Sequence, residues 1–321
     1  MTSIRRIALW VGLLCATLAL AQNPADSPAP PSSQSPASPT VRIDVDLVLL
    51  NATVTDSSNR YVTGLTKNDF QVWEDKIEHQ IQYFSSESVP LSVGVIFDLS
   101  GSMENKLKAA RDAARTFLRM GDRDDEYFLI EFSNSPRVAQ DFTTDIGKLS
   151  GRLLFAQAKG MTSLYDALYL GLEKVGHGSN SRKALLLITD GEDNHSRYSF
   201  SDVREFAREH DVLIYAIGIV DPLATASGAG YAGRAILENL ASLTGGRAFF
   251  PASVFELEGI CAQIGTDLKN QYVLGYRSLN ESYDGKWRKV RVKVNRSKGM
   301  PRMTVRAKTG YYASALAKVM K

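Results

Sequence analysis

Between Pro90 and Asn270 nearly unbroken apolar runs alternate with amphipathic ones, and this alternation limits the possible fold more than any other feature. Leu91–Phe97, Tyr127–Phe132, Ala184–Thr189 and Val212–Ile219 are the long apolar runs. Strands of that kind are covered on both faces, which marks a largely parallel sheet. Val138–Phe142 and Ala248–Phe250 read as shorter strands of the same set. Between the strands, apolar residues recur at helical spacing. Met103, Leu107, Ala110, Ala114, Phe117 and Leu118 share one face, and Leu164–Val175, Val203–His210 and Ala235–Leu243 read as further helices. Leu257, Ile260, Cys261, Ile264 and Leu268 form the stripe of a last one. The expected fold is α/β: a doubly wound, mostly parallel sheet with helices on both faces. Ligands of such folds bind beyond the carboxyl ends of the strands.

β-rich pieces lie on either side. Val41, Ile43, Val45, Leu47 and Leu49 alternate with Arg42, Asp44 and Asp46, which predicts a strand with these apolar residues inward and one wet face. Phe70–Trp73 and Ile77–Phe84 follow before Pro90; Tyr272–Tyr276, Val290–Val294 and Met303–Arg306 come after Asn270. Neither set alone has enough surface to bury, so the two are expected to pair into one flanking β domain. The expected divisions are a signal at 1–21, a linker at 22–40, a β-rich region at 41–89, the α/β domain at 90–270 and a second β-rich region at 271–321.

The N-terminus reads as a secretory signal. Arg5 and Arg6 precede the apolar run Ile7–Leu20, and Ala19-Leu20-Ala21 offers small residues for cleavage. An uncleaved anchor is the other reading of the same residues. Residues 22–40, rich in Pro, Ser and Ala, cannot bury enough apolar surface to offset their ordering entropy. The expected location is therefore periplasmic, extracellular or at the cell surface, with no membrane span in the mature chain. Loss of Arg5 and Arg6 takes the formal net charge from +3 to +1, so global charge points to no class of partner. Ten basic and no acidic residues lie between Lys286 and Lys308; export argues against nucleic acid there, and a solvated strand face is the expectation. Of two cysteines, Cys15 leaves with the signal, so Cys261 has no disulfide partner and is expected buried in its helical stripe.

Chemistry concentrates at three strand ends. The strand ending at Phe97 delivers Asp98-Leu99-Ser100-Gly101-Ser102, Gly160-Met161-Thr162-Ser163 precedes a helix, and the strand through Ile188 ends in Thr189-Asp190-Gly191. Carboxylates and hydroxyls are hard oxygen donors, suited to magnesium, calcium or manganese. Each piece alone also reads as a helix cap or a turn. The Asp98 and Asp190 strands are expected to be neighbours at the topological switch point.

In these residues the chain resembles the von Willebrand factor type A family over about 90–270. The Asp-x-Ser-x-Ser run, the later Thr and the Thr-Asp-Gly turn match the family's metal-ion-dependent adhesion site. The resemblance implies Asp98, Ser100, Ser102, Thr162 and Asp190 as ligands, direct or through water, of one Mg2+, with Mn2+ or Ca2+ as alternatives. It implies a non-enzymatic binding or adhesion protein whose ion takes an acidic group from a protein partner. It also implies that the helix at Leu257–Leu268 holds the place of one that moves on ligand binding in some members. More loosely, the β flanks resemble those of exported bacterial proteins, notably of acidobacteria.

Two other classes of function, an enzyme and a purely structural module, stand beside this one. A phosphatase of the haloacid dehalogenase type needs a second Asp two residues after the first, and Ser100 stands there. A serine hydrolase needs a G-x-S-x-G elbow with a partnered His, and neither is evident. A purely structural module would hold metal without a partner. His195, Glu192 and Asp193 are expected at the rim of the site with no assigned role, and Asp221–Gly233, rich in Ala and Gly, is expected to be a loop.

Overall fold

The computed structural model describes residues 47–219, 228–295 and 302–313. The expected signal, the linker and the first part of the alternating Val41–Leu49 run lie outside them. The described residues belong to one compact unit that starts at Val45.

The central sheet has six strands: β5 (Leu91–Asp98), β6 (Glu126–Phe132), β7 (Pro136–Thr143), β8 (Arg182–Thr189), β9 (Leu213–Gly218) and β10 (Ala248–Phe249), in the order β10-β9-β8-β5-β6-β7. All neighbours run parallel except β7, which is antiparallel to β6. Val93, Val95, Phe97 and Ile217 pack against α1 (Leu107–Arg119), α2 (Ile146–Phe155) and α6 (Leu257–Lys269). Ile96, Phe128, Ile130 and Leu187 pack on the other side against α3 (Leu164–Gly176), α4 (Phe200–Glu209) and α5 (Gly228–Thr244). Burial on both faces is why these strands read as apolar runs rather than alternations. Helix α3 lies so close to β5 that a methyl group on Gly171 would come within 2.5 Å of Ile96 Cδ1.

Two four-stranded antiparallel sheets make the flank. One has the order β13-β1-β11-β4, from β13 (Met303–Ala307), β1 (Leu47–Asp56), β11 (Tyr272–Arg277) and β4 (Ile81–Ser85). The other has the order β14-β12-β2-β3, from β14 (Gly310–Tyr312), β12 (Trp287–Val294), β2 (Phe70–Glu74) and β3 (Ile77–His79). Strands from before and after the α/β domain thus pair with each other, and they share a core of Leu50, Ala52, Val54, Val72, Leu274 and Tyr276.

Three sequence expectations need correction. Leu47 and Leu49 are 38% and 44% exposed, whereas Leu50, Ala52 and Val54 are buried. The inward set is the even-numbered one, because Leu50 and Ala52 pair with Leu274 and Tyr272 of β11; with a period of two, a one-residue error of phase inverts the faces. Helix α2 had no counterpart in the sequence reading: only Leu149 and Leu153 of its ten residues are buried, too few to show a period. The expected loop 221–233 is helical from Gly228 onward.

The flank meets the α/β layer where the parallel strands begin. Asp267 of α6, fully buried, accepts two hydrogen bonds from Arg306 of β13, at 2.8 and 2.9 Å. Lys308 pairs with Asp211 just before β9 at 3.0 Å, and the Tyr312 hydroxyl donates to Glu205 of α4 at 2.6 Å.

Candidate metal centre

Three loops meet at the opposite end, where the strands finish. β5 and β8 are parallel neighbours with Phe97 opposite Ile188, so Asp98 and Thr189 leave the sheet side by side. Thr189 Oγ1 donates to Asp98 Oδ2 at 2.6 Å, and the Ser100 amide donates to Asp98 Oδ1 at 2.8 Å. These two bonds fix the carboxylate's orientation. Ser100 is buried and Ser102 exposed, with their hydroxyl oxygens 3.1 Å apart.

The second loop is fastened to the first by the Gly101 amide, which donates to the Gly160 carbonyl at 3.0 Å. Gly160 has φ +94°, and a side chain there would also strike Asn134 Oδ1, which accepts from the Met161 amide at 2.7 Å. Glycine is required at this corner on both counts. Thr162, buried, is tied to the third loop: its amide donates to Asn194 Oδ1 at 2.8 Å, and its carbonyl accepts from the amides of Asn194 and His195, each at 3.0 Å. The structure therefore brings Asp98, Ser100 and Ser102 together by direct bonds and delivers Thr162 and Asp190 on loops bonded to theirs.

Helix capping does not account for these side chains. The residue before α3 is Ser163, not Thr162, and its side chain makes no capping bond; the residue before α1 is Lys106; and Ser100, which opens the short turn Gly101–Met103, makes no capping bond either.

The electrostatics are short of positive charge. Asp98 is fully buried and Asp190 is 7% exposed. Burial pushes the Asp98 carboxyl up to about 6, the bonds from Thr189 and Ser100 pull it down, and the negative charge of Asp190 pushes it up again. Asp190 Oδ2 lies 3.6 Å from Lys106 Nζ, while Asp190 Oδ1 is buried with no hydrogen-bond partner. An orphaned carboxylate oxygen beside a second buried carboxylate is costly unless a cation completes it. The donor set of two carboxylates and three hydroxyls fits a hard divalent ion. Among the described residues no group of three or more His, Cys, Asp or Glu gathers for a metal, so this set rests on hydroxyls for most of its donors.

Sequence reasoning missed Thr189, Asn194 and Lys106 as parts of this centre. Thr189 was visible as the neighbour of Asp190; the other two carry no local signal, since their partners lie 32 residues away for Asn194 and on the loop after the neighbouring strand β8 for Lys106. Asp193, given no role from sequence, accepts from Ser196 Oγ at 2.5 Å and from the Tyr165 amide at 3.3 Å, and so helps to cap α3.

Residues 93–192 match the family model of the von Willebrand factor type A domain, a stretch that runs from β5 to just past Asp190 and holds all five candidate ligands. This part of the chain is a von Willebrand factor type A domain. Among solved structures, the chain is similar to the PilB minor pilin from Streptococcus sanguinis, at 14% identity and TM-score 0.47 over 58% of this chain and 63% of that one. It therefore spans less than two thirds of that pilin chain. It is also similar to a von Willebrand factor type A protein from Catenulispora acidiphila, at 11% identity and TM-score 0.49 over 83% and 74% of the two chains. A third similarity is to the vWF domain of the type V pili tip protein from Porphyromonas gingivalis, at 14% identity and TM-score 0.45 over 56% and 97%. No curated protein matches the chain. Among the described residues no helix is long and apolar enough to cross a membrane.

Proposed function

We propose that the chain is an exported binding protein in which Asp98, Ser100, Ser102, Thr162 and Asp190 hold one Mg2+, with Mn2+ or Ca2+ as substitutes, and that the bound ion takes a carboxylate from a protein partner. The observation that carries this reading is the buried pair Asp98 and Asp190, with Asp190 Oδ1 unpartnered. A dication supplies the missing positive charge and, because the hydroxyl donors are neutral, remains a strong Lewis acid toward an incoming carboxylate. The protein's part is to aim the donors. Thr189 and the Ser100 amide orient Asp98, the Gly101–Gly160 bond sets the distance between two loops, and Asn194 holds the Thr162 loop.

The role is binding, not catalysis. Ser100 occupies the place where a phosphatase of similar sheet order needs its proton-donating carboxylate. Export rests on the N-terminal residue pattern: Arg5 and Arg6, the apolar run and Ala19-Leu20-Ala21.

The test is binding of an immobilised peptide bearing one glutamate. Magnesium-dependent retention, abolished by chelator and by Asp98→Ala, with the variant melting close to wild type in chelator, is the expected result. Equal retention by wild type and Asp98→Ala contradicts the proposal.

A further inference from the structure

A cleft of about 390 Å³ opens directly beside the metal loops. Leu99, which sits between the candidate ligands Asp98 and Ser100, forms part of its wall, as does Gly160, which is bonded to Gly101. Arg137, Lys159, Asn134 and Gln157 supply its polar lining; among the described residues no carboxylate lines it. Phe155, 85% exposed, forms an apolar rim.

Charge around this cleft is unbalanced. Glu131, 3% exposed, pairs with Arg137 at 2.6 Å, and Arg152 and Arg111 act on the same carboxylate. Arg111 also donates to the carbonyl of Ala156 in the cleft wall. Lys159 is exposed and has no ion-pair partner among the described residues. Four cations thus stand against one buried carboxylate. Two of these cations, Arg137 and Lys159, line the cleft itself, and Glu131 is shared among three guanidinium groups, so a net positive field meets whatever enters the cleft.

We propose that this cleft is a subsite for a second acidic side chain of the same partner, flanking the one that reaches the ion. This deepens the function proposed above and rests on it. The ion alone accepts any accessible carboxylate, and the subsite supplies discrimination: a segment with two suitably spaced acidic residues is preferred to one with a single acid. Charge complementarity of this kind acts chiefly on specificity and rate of encounter, and it is screened by salt.

The test uses capped synthetic peptides of equal length, one with a single glutamate and a series with a second glutamate one to four residues away. Binding is read by fluorescence anisotropy with magnesium, on wild type, Lys159→Glu, Arg152→Glu and Asp98→Ala. Lys159 has no partner to lose, so its variant is expected to melt with wild type. At one spacing or more, the two-glutamate peptide binds wild type about fivefold tighter than the one-glutamate peptide. In Lys159→Glu that ratio falls toward one, and added salt lowers it in wild type. No preference at any spacing, or a preference unchanged in both Lys159→Glu and Arg152→Glu, overturns the subsite. Failure of the metal reading is distinguishable: the one-glutamate peptide then binds Asp98→Ala as it binds wild type, or does not bind with magnesium. In that event, magnesium-independent binding of a two-glutamate peptide that Lys159→Glu removes still supports the cleft, and its absence overturns it.

Discussion

Asp98 and Asp190 are buried carboxylates whose burial cost the proposed cation would offset. Asp98 has one partner for each oxygen, and Asp190 has an oxygen with none. Removing Asp98's carboxylate therefore relieves a burial cost while it gives up the bonds from the Ser100 amide and from Thr189, whose hydroxyl keeps the Gly191 amide as a donor to it at 3.1 Å. In chelator, Asp98→Ala is expected to unfold within about 1 kcal/mol of wild type, by thermal or urea denaturation. Magnesium at a hundredfold excess over its dissociation constant is expected to stabilise wild type by about 2.7 kcal/mol and to leave Asp98→Ala unchanged. A large loss of metal-free stability in the mutant would recast Asp98 as a structural residue. Cys261 illustrates a buried group with no such conflict. Apolar packing in α6 leaves it fully buried and pushes its thiol up to about 12. A maleimide reagent at neutral pH is expected to spare it in the native protein and to label it in urea, because the thiolate is the reactive form; rapid native labelling would show that α6 opens.

At the scale of elements, α6 joins the type A layer to the β flank. Its inner stripe, Leu257, Cys261, Ile264 and Leu268, packs on the sheet, while Asp267 faces Arg306 of β13. Burial raises the Asp267 carboxyl above its ordinary range, and Arg306 is the main opposing influence, so each group depends on the other. Asp267→Asn is expected to cost about 3 kcal/mol, since it leaves a largely buried guanidinium without its charge partner; an unchanged denaturation midpoint would mean that α6 does not need the tether. Most elements were legible in the sequence because their burial is regular: two-sided for the parallel strands, one-sided for α1 and α6. The failures share a cause, which is that the deciding contact lies elsewhere in the chain. The inward face of β1 is chosen by pairing with β11, more than 200 residues away. Helix α2, with two buried residues, is placed by its packing on the sheet rather than by its own pattern. In the site, the five candidate ligands stood out as three short motifs at strand ends. The Lys106–Asp190 pair and the Asn194 bonds did not, because neither is local.

On the scale of the whole molecule, the flank and the candidate metal centre sit at opposite ends of the central sheet. Lys308, Arg306 and Tyr312 attach the flank near the strand beginnings, and Asp98 and Asp190 lie at the strand ends. The loops that would meet a partner are thereby left uncovered by the flank. The pairing also makes the flank indivisible. Both neighbours of β1, β11 and β13, come from after Asn270. A chain ending at Asn270 is expected to lose residues 47–89 to limited proteolysis, which the full chain resists; equal resistance would show that β1–β4 hold without their partners. The account rests most heavily on one divalent ion at the strand ends. Calorimetric titration of magnesium into chelator-treated protein, beside Asp98→Ala, tests it directly. Heat that saturates near one ion per chain in wild type and is absent in the mutant is the predicted result. Identical titrations for the two proteins, with or without heat, would contradict it.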